Sequence, residues 1–517
     1  MLTSQMAALG ALAAALLSGC AKGSDGSDDF TNAATDPTTS ETGTTDTAGT
    51  MDTAETADTA DTTSGEETAE TVDTNATTDT TDTDPPPTPD FGADTGVFTP
   101  ITADCEAATE TEGAVWFQPE AGLLIDLTSV FTAGSWDTPV RYTVSDPGTL
   151  AFCPGTWHVA LTLEADVLLQ GEDAATTTLS GAQQALVIDV TPGLRVSLID
   201  LTVADGSPDA DRDYLGGAIH AESAILSIRR SIFPDNTSSQ GGAIYLDGGL
   251  LDISGAVFRD NSASLTGGAI YARGEAQVVI DDSSFTGNAA LHYDGYGGGL
   301  GGALYIEGEL WLTSSDFHDN YADLWGAGLT LVYGEGTVYD STFTDNVPDG
   351  LYIAEASASA SGLTVSGNGR GILLRVDAAL TLLDSEVTDN LAQGIYAYDR
   401  CSLEMSGVTV SRNGDGGLSG GGLYSSGQAL TITDSLFEDN YGEYGGAAPS
   451  RDGVAPRWRG SPSPTTSRNI GAAAGSTSRA RERWRSSTVT SATTRRSTPT
   501  SETRAPPPPG ARGDRHL

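Results

Sequence analysis

Gly241-Gly-Ala-Ile-Tyr245, Phe258-Arg-Asp-Asn261, Gly267-Gly-Ala-Ile-Tyr271 and Phe285-Thr-Gly-Asn288 follow one another along the chain, and their repetition decides the fold. Working outward in both directions, the Phe-x-x-Asn spacing, with valine sometimes replacing the aromatic residue, occurs nine times. Its asparagines are Asn236, Asn261, Asn288, Asn320, Asn346, Asn368, Asn390, Asn413 and Asn440, separated by 22 to 32 residues. The glycine motif recurs between them, as in Gly216-Gly-Ala-Ile, Gly301-Gly-Ala-Leu-Tyr and Gly421-Gly-Leu-Tyr. Self-similarity at such a period is the signature of a repeat architecture.

Inside each unit apolar residues alternate, as in Leu250-Leu-Asp-Ile253 and Ala429-Leu-Thr-Ile-Thr-Asp434. A period of two means short strands with one face inward. Three such strands with their turns make one rung of a coil, and stacked rungs lie about 4.8 Å apart. The expectation is an all-β, right-handed parallel β-helix (a solenoid) over residues 91–446, with an N-terminal cap covering the unpaired first edge. Phe or Ile should stack on its counterparts inside. The glycine pairs suit positive φ or close backbone approach. Asparagine is expected in the left-handed region, its amide bonding the equivalent amide one rung along as a ladder. Leucine-rich repeats share the period, but their consensus and helical half are absent.

The paired Gly-Gly-Ala-Ile and Phe-x-x-Asn motifs over residues 216–446 resemble the repeats of chlamydial polymorphic outer-membrane proteins. That resemblance implies a surface-exposed β-helical passenger acting as an adhesin; the C-terminal barrel of that family has no counterpart here. More loosely, the chain resembles the pectin-lyase-like superfamily, whose enzymes use clustered Asp with Ca²⁺ and an Arg base, or paired Asp with a Gly-His-Gly segment. No Gly-His-Gly is present, and the five histidines show no ligand spacing.

Residues 7–17 form an apolar run of signal-peptide length followed by Leu17-Ser18-Gly19-Cys20. This resembles the bacterial lipobox, which implies cleavage after residue 19, acylation of Cys20 and anchoring in the outer membrane. Residues 20–90 are rich in threonine and acids, with Phe30, Met51 and Val72 as the only large apolar side chains. Such a segment buries too little surface to offset ordering, so a disordered stalk is expected.

Of 517 residues, 71 are acidic and 25 basic, a formal charge of -46. The sign is uneven: residues 91–446 hold 49 acids and 11 arginines, whereas 447–517 hold 13 arginines and 4 acids. An acidic body repels phosphate backbones, so no nucleic-acid partner is expected. The partners expected instead are the membrane, through the lipid, and glycans or surface proteins. The Arg/Pro/Ser-rich tail stops the repeat in mid-motif, which suggests disorder and a frameshift near codon 448.

Cys105 and Cys153 fall in the cap region of an exported chain and are expected to pair, leaving Cys401 as a small core residue. Asp205, Asp209, Asp211 and Asp213 make the densest acidic loop and are the candidate Ca²⁺ ligands; no other cofactor is suggested. His220 takes the slot of the rung tyrosines and reads as a surface residue, and Arg229-Arg230 near Asp235 reads as a solvated charge pair rather than a lyase base. The function expected is non-catalytic adhesion, binding or structure, the alternative being a polysaccharide lyase, hydrolase or carbohydrate-binding module on the same fold. A groove lined by Asp, Arg and aromatics on consecutive rungs would favour the alternative.

Overall fold

Strand Ile244–Ser254 pairs in parallel with Ile219–Arg229 before it and Ile270–Asp281 after it, so each rung is hydrogen-bonded to its neighbours. The same relation carries on through Leu304–Thr313 and Leu329–Tyr339, and the computed structural model is a parallel β-helix of about 11 turns. The structure describes residues 100–442 except 103, 107, 109–112, 209–214, 293–297, 415–420 and 427–428, together with the backbone of nine residues beyond 450. These belong to one unit, residues 80–517.

A rung has three sides. The long strand turns a corner midway, as at Glu275, whose φ is +61°. From Asp349 onward that corner splits it into two strands, Asp349–Ala354 and Ser357–Ser361. A three-residue strand follows, such as Ser284–Thr286 or Thr342–Thr344. Among the described residues, four rungs add a third strand, such as Ser262–Thr266, forming a separate sheet.

The interior is built from identical residues in register. Phe233, Phe258, Phe285, Phe317 and Phe343 stack with centroids 4.7–4.8 Å apart and planes within 8° of parallel. The rung spacing imposes this face-to-face geometry, which isolated rings do not prefer. Beside the stack runs the asparagine ladder. The asparagines from Asn236 to Asn413 are at most 1% exposed, and each side chain donates to the Oδ1 of the next.

One expectation needs correction. The left-handed residue is the one before each asparagine: Asp235, Asp260, Gly287, Asp319, Asp345, Gly367, Asp389, Arg412 and Asp439 all have positive φ. This tight corner turns the asparagine inward, where its amide meets the next rung. A second left-handed corner precedes a buried serine row, in which Ser283 N–H donates to Ser315 Oγ and Ser315 N–H to Ser341 Oγ. The glycine pairs divide the labour. Gly241 has φ +65°, whereas a Cβ on Gly242 would collide with the carbonyl oxygen of Gly268 in the next rung.

The cap is short. Strand Val115–Pro119 lies antiparallel across Gly148–Phe152, the first edge of the coil, and Phe131 of a four-residue helix packs on Phe152 and Tyr142. Cys105 and Cys153 form a disulfide that ties the chain entering the cap to this edge. Cys401 is buried and free, its Sγ 2.8 Å from the carbonyl oxygen of Tyr398. In the tail, Arg457–Trp458, Arg483–Arg485 and Val489–Ala492 pair antiparallel with one another or the last rung, so they do not continue the coil. The signal segment, Cys20 and the stalk lie outside the described residues.

Candidate functional site

Side chains that point outward from one rung stand directly beside those of the next, so a surface site on this fold is a set of columns. Two sides of the coil, meeting at one corner, carry the columns of interest.

On the first side, Tyr245, Tyr271 and Tyr305 follow His220 in register, and Tyr352, Tyr396 and Tyr424 resume the line with Thr330 and Leu373 interposed. Their rings stack along the axis, His220 on Tyr245 at 5.5 Å and Tyr245 on Tyr271 at 5.6 Å. The tyrosines through Tyr352 are under 10% exposed, because Leu215, Leu300 and Trp325 cover the row. Burial pushes the Tyr245 phenol up to about 12 and raises that of Tyr305 further. These phenols stay protonated and are donors, not bases. His220 is more than a surface residue. Its Nδ1 lies 3.1 Å from Asp189 and its Nε2 3.8 Å from Glu222, and Asp189 also lines a hollow of about 120 Å³ with Arg141 and Tyr142.

Further along, Asp349 is fully buried and holds Arg370 at 2.6 Å, while Gly326 N–H donates to its other oxygen at 3.2 Å. Burial keeps the Asp349 carboxyl above the usual carboxylate range despite that arginine. Beside it, the Arg375 guanidinium lies 4.6 Å from the Trp325 ring centroid and 5.0 Å from that of Tyr398.

The second side carries a groove of about 330 Å³ running across five rungs. Small and hydroxyl-bearing side chains line it: Thr337, Ser357, Ser359, Thr381, Ser402 and Thr431, with alanines between them and Glu335 and Glu404 at its margins. Trp311 is in register with Thr337, one rung toward the N-terminus, and tilts against Tyr339 at 6.3 Å. The Trp311 Nε1 is buried without a partner. The sequence gives no local sign of this groove, since its residues are about one rung apart in the chain and belong to no motif.

The residues singled out from sequence fall in different places. Arg229 pairs with Asp252, and Arg230 grips Asp200 through Nε and Nη2, both at 2.8 Å. Both are charge pairs, as expected, but among the described residues neither pairs with Asp235: rung register, not sequence proximity, selects the partner. Asp205 accepts a hydrogen bond from Ser180 at 3.1 Å, and burial raises its carboxyl above the ordinary range. Asp209, Asp211 and Asp213 lie outside the described residues. The described grouping with ligand-like spacing is instead His318, at a strand end, with Asp319 and Asp345, the left-handed corner residues of two successive rungs. The ladder asparagines are wholly structural in their contacts.

A family model described as a right-handed beta helix region matches residues 213–368 and 302–453. No curated protein sequence matches the chain. Among solved structures, the Azotobacter vinelandii mannuronan C-5 epimerase AlgE6 A-module is similar at 14% identity. That match covers 58% of this chain and 87% of that one, with a TM-score of 0.34. A point mutant of the periplasmic alginate epimerase AlgG shares 12% identity over 66% of this chain and 99% of its own, with a TM-score of 0.32.

Proposed function

We propose that this chain is a non-catalytic glycan-binding β-helix, displayed on the outer membrane by an acylated Cys20 and the stalk of residues 20–90. The observation that carries the reading is the groove. It is long, shallow and lined by hydroxyls, which suits an extended polyhydroxylated chain. The Trp311–Tyr339 pair beside it offers apolar ring surface for a sugar face.

The groove's acids support binding rather than hydrolysis. Three rungs separate Glu335 from Glu404 along the register, about 14 Å at the usual spacing. Paired-carboxylate glycoside hydrolysis uses separations of about 5–9.5 Å. Nor do the residues lining the groove include a histidine, lysine or arginine to act as a base.

One observation favours a second reading, catalysis on a bound polysaccharide. Asp189 orients His220 as a carboxylate fixes the tautomer of an acid–base imidazole, beside a hollow that also presents Arg141. A His220→Ala variant losing a measured glycan-degrading activity would select this reading.

The primary test screens the full chain against polysaccharides, alongside Ser359→Arg and Thr381→Arg, which obstruct the groove. Retention of a glycan by the parent, lost in both variants at unchanged thermal midpoint, is the expected result. Equal retention by the variants removes the groove from the reading, and no retention of any glycan removes the reading. Anchoring is tested by Cys20→Ser, which should move the protein from the membrane to the soluble fraction.

A further inference from the structure

We propose that Arg375 anchors a second subsite, which binds one anionic group, a carboxylate or sulfate, on the same glycan; this rests on the glycan-binding reading above.

The chain has acids in great excess, and six described arginines of the coil each form an ion pair with an aspartate: Arg229, Arg230, Arg273, Arg370, Arg400 and Arg412. Arg195 and Arg259, like Arg375, have no ion pair among the described residues, but Arg375 alone of the described arginines has a buried nitrogen without a partner. No carboxylate of the described residues lies within ion-pair distance of it, and its Nε is buried without a hydrogen-bond partner. Its guanidinium is held between Trp325 and Tyr398, and Trp325 is itself backed by Tyr352 at 5.4 Å. The column below it, Val332 and Ala354, supplies only apolar side chains.

A guanidinium pinned by two rings is pre-organised, and its planar fork matches a carboxylate or sulfate with two parallel bonds. The unsatisfied Nε shows that no internal acceptor compensates this charge, and a hydrogen bond to a charged group is worth more than one between neutral groups. The nearby cations do not compete for it, since Asp349 neutralises Arg370 and Asp377 grips Arg400 at 2.7 and 2.8 Å. The overall negative charge does not forbid an anion here, because charges beyond about 8 Å are screened at physiological ionic strength. Position also fits. Only the left-handed corner Val376–Asp377 and Ala378 separate Arg375 from Ala379 of the groove.

The test compares the full chain with Arg375→Gln and Arg375→Lys on three immobilised probes: polygalacturonate, dextran sulfate and neutral dextran. The parent is expected to bind one charged polymer more tightly than dextran, which identifies the group. Arg375→Gln should weaken that binding about tenfold, as loss of a charge-assisted pair implies, with Arg375→Lys intermediate and dextran retention unchanged. Equal binding of both charged polymers by Arg375→Gln overturns the proposal, as does a parent that prefers neither over dextran. Loss of dextran retention in the groove variants alone speaks to the groove, so the two readings fail separately. A second readout guards against misfolding: galacturonate or sulfate titrated into the parent should perturb tryptophan fluorescence, and this change should vanish in Trp325→Phe. A change that persists in Trp325→Phe, or no change with either anion, overturns the proposal.

Discussion

Asn320 Oδ1 accepts two hydrogen bonds from Asn288, one from its side-chain amide and one from its backbone N–H, both at 3.0 Å. The second amide hydrogen of Asn288 goes to the carbonyl of Phe258, also at 3.0 Å. Every polar atom of this buried row is therefore spoken for by a neighbouring rung. Removing one member strips its predecessor of the acceptor for two N–H groups.

Asn288→Ala should accordingly cost about 3 kcal/mol, from the orphaned donors of Asn261. Asn440→Ala should cost under about 1 kcal/mol, because Asn440 is only half-buried at the end of the ladder and water reaches the donors it frees. Urea midpoints of the two variants measure the contrast; equal losses would mean that the ladder is not the source.

Glycines of the same rung should differ sharply. Gly242→Ala drives a methyl into backbone of the next rung and should cost at least about 3 kcal/mol or prevent folding. Gly248→Ala meets nothing closer than 3.4 Å and carries only the strain of φ +71°, about 1 kcal/mol. Soluble yield and thermal midpoint decide this.

Asp349 sets a pH dependence of its own. Its carboxyl is raised in the folded state by burial, so folding favours the protonated form. Its contribution is fully present below the ordinary value of 3.8 and is lost as pH rises through the folded value. Asp377 and Asp389 act in the opposite sense. Hydrogen bonds from Arg400 and Arg412 lower their carboxyls, so their contribution is present above 3.8 and lost as pH falls below it. Asp349→Asn removes the first effect alone. Denaturation midpoints from pH 3.5 upward (about pH 3.5 to 7, bracketing the ordinary carboxylate range) should show the parent losing ground to this variant as pH rises. A constant difference would disprove the assignment.

The disulfide closes a loop with a sequence separation of 48. Chain entropy puts its contribution at about 4 kcal/mol. Reduction, or Cys105→Ser with Cys153→Ser, should release the cap first and open the edge strand Gly148–Phe152 to hydrogen exchange, while amides near Asn320 keep their protection. Uniform loss of protection along the coil would show that cap and rungs open as one unit.

The coil was legible in the sequence because each rung must fill the same lattice position with the same kind of residue. Phe258, Phe285 and Asn288 announce their stacking partners by recurring. Corner geometry was half legible: the left-handed residue is Asp235 or Asp260 rather than the asparagine beside it, since a buried ladder amide has to point inward. The serine row at Ser283, Ser315 and Ser341 is visible afterwards, two residues before each phenylalanine, but was masked by the commoner glycine motif. The groove was not legible. It exists because Ser357, Ala379 and Ser402 are small at equivalent positions of three rungs, and such a relation becomes visible only once the register is known. The arginine partners were hidden for the same reason, as Arg230 with Asp200 shows.

The even pitch that stacks the five phenylalanines also sets how an elongated ligand experiences the groove. Successive rungs there share one backbone spacing and present small side chains, mostly Ser, Thr and Ala, at equivalent positions, so a polymer shifted by one pitch would meet a similar surface. On the proposed reading its hold would grow with the number of rungs it spans rather than with any single contact. If the proposed glycan lies along the axis, its movement would amount to small hops among similar positions, and long chains would be retained where short ones escape.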